Sequence, residues 1–196
     1  MKFEHWQHYA RGWLWLFFKR EKQAYEEFRL AYSRDPNHLQ TLLHLASIDA
    51  NQKRFTAAEK WFEKALVITP DDSATWFNLA FVRETAGAPA RAIPAFMESV
   101  RCNPNQDLAW YGMGLAHARL GQHTEAVKAF EKVAELQPMY GDGLYQLGMA
   151  YHHANCPDQV KRIVTRLVDF EPKTAKKLVH DAQRSDLKSL IPDLPF

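Results

Sequence analysis

Residues 110–138 read WYGMGLAHARLGQHTEAVKAFEKVAELQP. Apolar and small residues recur every three or four positions on both sides of Gly121, as two amphipathic helices require. Gly121 supplies a turn between them, and Pro138 closes the unit because a proline cannot continue a helix. The design extends in both directions. Pro36, Pro70, Pro104, Pro138 and Pro172 follow one another at intervals of 34 residues. A fixed period of this length marks a stacked-repeat architecture. Each unit is a helical hairpin that cannot bury its apolar face alone and must stack on its neighbours.

The residues within each period resemble the tetratricopeptide repeat. Trp110, Met113, Gly114 and His117, then Ala126, Phe130 and Pro138, follow the spacing of that family's signature. The preceding unit places Trp76, Leu79, Ala80, Arg83, Ala92, Phe96 and Pro104 equivalently, and the one before it Leu42, Leu45, Ala46, Asp49, Ala58, Phe62 and Pro70. The fifth has Leu144, Leu147, Gly148, Tyr151, Val160, Val164 and Pro172. The first is the most degenerate, with His8, Arg11, Gly12 and Trp15 before Ala24, Phe28, Ala31 and Pro36. The resemblance implies an all-α fold, a right-handed α-solenoid of five helical hairpins with a C-terminal capping helix. Repeats at about 5–36, 37–70, 71–104, 105–138 and 139–172, and a cap at 173–184, would make one solenoid domain over 1–184. An apolar tail follows at 185–196.

The residue types make physical sense in that arrangement. Gly12, Ala46, Ala80, Gly114 and Gly148 leave room for a second helix to approach at Ala24, Ala58, Ala92, Ala126 or Val160, while residues such as Trp110 and Phe130 fill the space beside them. Gly87 and Gly121 can end a first helix in the left-handed conformation, and Asn155 tolerates it. Helices are expected at 3–18, 21–34, 37–51, 55–68, 71–86, 90–102, 105–119, 123–136, 139–153 and 158–170. Pro89 and Pro157 suit the entrance of second helices, whereas Pro94 lies deeper and would bend or loosen its helix. A further helix over 174–184 would lay Leu178, Val179 and Ala182 on the last repeat beneath a polar outer face. In the tail, Leu187, Leu190, Ile191, Leu194 and Phe196 are apolar, and Pro192 and Pro195 keep its end from being helical.

Composition limits the function. A net charge of +2 with interspersed signs makes no case for nucleic acid as a partner. Two cysteines, Cys102 and Cys156, without a C-x-x-C spacing, read as free thiols in a reducing compartment. The longest early apolar run, residues 13–18, is too short for a signal-peptide core or a membrane span, so the expected location is cytoplasmic.

Function must lie in residues the repeat does not require. On a wheel of 100° per residue, Trp110, Met113, Gly114 and His117 face the second helix, and Leu108, Tyr111, Leu115 and Ala118 lie roughly 140° away. In tetratricopeptide proteins this second stripe lines the concave groove that binds ligands. The resemblance carries it to Leu43, to Phe77 and Phe81, and to Tyr145, Met149, His152 and His153. In the first repeat it falls on Trp6, Tyr9, Trp13, Leu16 and Phe17, all apolar or aromatic. A helix apolar on two flanks needs two burial partners, and a contiguous exposed patch marks a contact site.

The carboxylate clamp of co-chaperones in this family needs cations where this chain has Tyr9, Leu43, Phe77, Tyr111 and Tyr145. Asn78 alone matches a clamp asparagine. A carboxylate against that wall would stay unpaired at heavy cost. The groove suits an amphipathic helix or an extended peptide with apolar anchors, as in bacterial chaperones of this class. His152, His153 and Cys156 are close in sequence, but adjacent histidines diverge by about 100° on a helix, so no metal is expected. His117 reads as a packing residue. The basic C-terminal stretch carries enough Asp and Glu to be a solvated face. No catalytic pair or phosphate loop stands out, and no cofactor is expected. The primary expectation is a non-enzymatic adaptor, scaffold or chaperone binding an apolar segment of another protein. The alternatives are self-association through the aromatic N-terminal helix, and peripheral membrane attachment by that helix beside Lys2, Arg11, Lys19 and Arg20. Glu4 and Glu21 disfavour the membrane.

Overall fold

A computed structural model of the chain describes residues 2–192. They divide into two compact units, Met1–Cys102 and Asn103–Phe196. The first holds three hairpins: α1 (Lys2–Phe17) with α2 (Glu21–Arg34), α3 (Leu39–Asn51) with α4 (Phe55–Ile68), and α5 (Ser73–Thr85) with α6 (Pro89–Cys102). The second holds α7 (Asp107–Arg119) with α8 (His123–Leu136), α9 (Gly141–His153) with α10 (Pro157–Val168), then α11 (Pro172–Asp181) and a 3-10 helix, Ser185–Leu190. No strand occurs among the described residues. The all-α hairpin repeat expected from the period is the fold observed.

Within each unit, hairpins join by packing the second helix of one against the first helix of the next: α2 on α3, α4 on α5, and α8 on α9. The positions predicted to be small explain how closely the helices meet. A Cβ on Gly12 would come within 2.7 Å of the Phe28 ring, and one on Gly114 within 2.6 Å of the Phe130 ring. Both rings are fully buried. In the last hairpin the corresponding ring position is Val164, and the side chain nearest Gly148 is Leu178 of α11. There the close approach serves the cap.

All five first helices end in one way. Lys19, Lys53, Gly87, Gly121 and Asn155, each 34 residues after the last, hold positive φ between 56° and 78°. The amide of the following residue returns to a carbonyl five residues back at 2.8–3.0 Å, for example Arg54 to Asp49 and Gln122 to His117. This is the Schellman closure. It confirms the left-handed turn expected at Gly87, Gly121 and Asn155, and adds two lysines. α11 ends in the same closure, with Gln183 at φ 54° and Arg184 N–H donating to Val179 O. It is therefore the first helix of a sixth unit, stopped six residues before the register position 189.

The first helices after Pro36, Pro70, Pro104 and Pro138 start two residues later than predicted, because those residues form a turn. Asn37 and Asn105 N–H groups donate to the Asp35 and Asn103 side chains at 3.1 Å. The N-cap then falls on His38 and Asp72, whose side chains accept from Thr41 and Thr75 N–H. The cap predicted at 174–184 begins instead at Pro172 and ends at Asp181, since proline is well placed in a first turn. Leu178, Val179 and Ala182 are buried as expected. Pro94 sits on the exposed side of α6, which is continuous from Pro89 to Cys102. In the tail, Leu187 is buried, the 3-10 helix packs on α10 and α11, and Ile191 joins the core of its unit. Leu194, Pro195 and Phe196 lie outside the described residues.

Candidate partner-binding surfaces

In the first unit, the expected ligand-facing stripe separates into inward and outward members. Tyr9 and Leu16 pack against the core of Ala24, Phe28, Leu45 and Ile48. The Tyr9 ring lies 5.8 Å from those of Phe28 and His44. Leu43 is half-buried. Phe77 is half-buried against Phe96, 6.1 Å between centroids. Phe81 stacks on Phe77 and remains 56% exposed, the more accessible half of a two-ring ledge. Trp6, Trp13 and Phe17 are exposed on α1.

Around Trp6 lies a cluster the sequence did not announce. His5 is buried, with Nδ1 3.1 Å from Ala31 O and Nε2 without a hydrogen-bond partner. The His38 ring is 4.4 Å from His5, 4.9 Å from Tyr9 and 5.1 Å from Trp6. His44 stacks on Phe28 at 4.7 Å. Burial lowers the pKa of His38, with His5 adding to the effect, and burial followed by His38 lowers that of His44. Burial disfavours the charged imidazole. Three histidines spread over two helices and a loop carry no period, so nothing in the sequence pairs them.

In the second unit, Tyr111 lies between Phe130 (5.8 Å) and Tyr140 (5.7 Å). Burial pushes its hydroxyl up to about 12, with Tyr140 and Asp142 adding to the shift. Leu115 packs on the unit's core, while Leu108 is 54% exposed. Tyr145 is already engaged: its hydroxyl donates to Asp181 at 2.7 Å, and the Lys177 ammonium sits 4.4 Å above its ring. Burial, then the bond to Asp181, pushes this phenol up to about 12. Met149 lines a cavity of about 260 Å³ with His123, Phe130, Tyr145, Gln146 and His153. His123 stacks on His153 at 4.8 Å and leaves Nδ1 buried without a hydrogen-bond partner.

The remaining singled-out residues have ordinary partners. The His117 Nδ1 is 2.6 Å from Gln122 Oε1. The His152 and His153 rings lie 5.1 Å apart, and Cys156 Sγ is 3.5 Å from Ala154 O. Among the described residues, no group of three His, Cys, Asp or Glu side chains is placed to hold a metal, and no helix is long and apolar enough to cross a membrane.

Two tetratricopeptide-repeat family models match the chain, one over residues 38–69 and one over 108–140. No curated protein matches. Among solved structures, a crystal structure of MamA protein superposes with TM-score 0.79 at 19% identity, covering 100% of both chains. YrrB, described as a tetratricopeptide protein with an unusual peptide-binding site, gives 0.77 at 20% identity over 90% of each chain. The pilF protein of Pseudomonas aeruginosa gives 0.70 at 20% identity, covering 89% of this chain and 80% of the other. At these identities the likeness is one of fold. Two of the five 34-residue units match the family directly and the others keep its period, its hairpin and its turn, so the chain belongs to the tetratricopeptide repeat proteins.

Proposed function

We propose that the chain is a non-enzymatic protein–protein interaction module, its repeats spanning 1–184, that holds apolar segments of a partner protein on the ligand-facing stripe of its first helices. The observation that carries this reading is the pair of large apolar side chains on that stripe, Phe81 and Leu108, each more than half exposed. Neither is needed to close a hairpin. In the first unit Phe81 extends the Phe77 ring outward. In the second, Leu108, Tyr111, Leu115 and Met149 line a surface with a recess beside it.

An amphipathic helix or an extended peptide with aromatic or aliphatic anchors fits such surfaces, the anchors giving the affinity and the rim the register. A carboxylate-capping role is disfavoured because no cation occupies Tyr9, Leu43, Phe77, Tyr111 or Tyr145. Tyr145, tied to Asp181 and Lys177, contributes a wall. Two free thiols suit a reducing, cytoplasmic setting. The peptide-binding site named for YrrB is consistent with this use of the fold.

Selection of a displayed peptide library on the intact protein tests the reading. Enrichment of sequences with apolar residues at i, i+3 or i+4, and i+7 is expected, and it should be lost on a Phe81→Glu, Leu108→Glu variant with unchanged far-UV circular dichroism. Equal enrichment on that variant would sink the assignment.

A further inference from the structure

α1 carries a second apolar pattern that the repeat does not require, and it takes in three residues of the expected ligand-facing stripe, Trp6, Trp13 and Phe17. Phe3, Trp6, Ala10, Trp13 and Phe17 follow at intervals of 3, 4, 3 and 4 residues. That is the a/d spacing of a coiled-coil seam. Every member is exposed: Phe3 75%, Trp6 54%, Trp13 54%, Phe17 69%, and Ala10 likewise. The repeat does not demand these residues. Their equivalents 34 positions on, in and just before α3, are Asn37, Gln40, His44, Ser47 and Asn51, all polar.

The seam reads the same from either end: two aromatics, a central alanine, two aromatics. Such an order is self-complementary under a twofold axis, the condition for an isologous interface. On one flank stand Gln7 and Leu14; on the other are Lys2, Tyr9 and Leu16, of which Tyr9 and Leu16 pack into the unit's own core. Only Lys2, at the end of the seam, is charged, so pairing brings no ion into its middle. With about 200 Å² per aromatic side chain, the four seam rings expose roughly 500 Å² of apolar surface. That is near the upper limit for a patch left bare on a monomer. Two copies together bury roughly 1,000 Å², the threshold for a specific interface.

We propose that a second copy of this chain occupies this face, the two α1 helices pairing antiparallel across Ala10. Phe3 of each copy lies against Phe17 of the other, and the small Ala10 allows the axes to approach to roughly 8 Å. The pairing face shares no residue with the Phe81 and Leu108 surfaces on which peptide capture rests.

Sedimentation velocity from 5 to 200 µM should give a concentration-dependent dimer. Trp13→Glu and Phe17→Glu, each at a more than half-exposed position, should weaken it at least tenfold with helicity unchanged. In a Cys102→Ser, Cys156→Ser background, Ala10→Cys should oxidise to a covalent dimer. Lys19→Cys should not, because its two copies stand roughly 27 Å apart in the antiparallel pair. A monomer throughout the range, or cross-linking at Lys19→Cys and not at Ala10→Cys, would overturn the proposal. So would a chain that stays monomeric in solution yet floats with phosphatidylcholine–phosphatidylglycerol vesicles, which would assign the face to a membrane surface.

Discussion

Lys53 holds φ 58°, a conformation that costs a residue with a Cβ about 1 kcal/mol. Glycine takes the same place in two other units. Lys53→Gly is expected to raise stability by about 0.5 kcal/mol, relief of strain outweighing the added freedom of the unfolded chain. Urea denaturation would register it as a higher midpoint at unchanged slope. Gly121→Ala should cost about 1 kcal/mol although its Cβ would meet nothing within 4 Å. Gly114→Ala should cost more, about 2–3 kcal/mol, because the new methyl collides with Phe130. Asp49 shows what polar burial demands. Fully buried, it accepts from Arg54 Nε at 2.5 Å, Trp61 Nε1 at 2.9 Å and the Tyr25 hydroxyl at 3.2 Å. Asp49→Ala strands those donors and should cost about 3 kcal/mol by the same measurement. The glycines were legible in the sequence because glycine is the usual left-handed residue. The lysines were not, since nothing in a lysine advertises positive φ.

At the scale of the element, α3 opens on a histidine where α5 opens on an aspartate, with threonine three residues on in both. Protonation takes away the lone pair with which His38 accepts. Its pKa and that of His44 lie below the ordinary 6.5. The unfolded chain therefore binds protons first. The contribution is complete above about pH 6.5 and is lost as pH falls through the lower folded-state values. Thermal midpoints should decline from pH 7 towards pH 5, and His38→Asp should remove part of that decline while keeping the cap. An unchanged slope would show that His38 does not set it. The boundaries of the ten hairpin helices were legible to within two residues, because proline and the apolar period fix where a hairpin turns; the end of the cap was missed by three. After Pro36 and Pro104 the two-residue offset goes with turns in which the Asp35 and Asn103 side chains accept from Asn37 and Asn105 N–H. Thr69 and Gln137 stand at that register position in the next units, so no repeat residue marks the turn.

For the whole molecule, the repeat period made the architecture readable and left the binding surface only partly so. A wheel separates a helix into flanks, but it does not say which flank residue a neighbour has claimed. Tyr145 and Phe81 belong to one predicted stripe, yet Asp181 and Lys177 hold the first and solvent meets the second. Phe3 and Ala10 escaped the repeat-based reading because they belong to a different period, visible only once exposure along α1 is known. The Phe81→Glu, Leu108→Glu variant should keep its thermal midpoint within about 2 °C of the parent, as expected for exposed sites. A larger fall by calorimetry would show these side chains to be structural. The early stop of α11 governs elongation. Leu178 fills the last vacant glycine groove, and the left-handed turn at Gln183 comes before enough helix exists to receive another hairpin. An engineer lengthening this protein would have to splice extra units upstream of Pro172, because modules appended downstream would find no docking face.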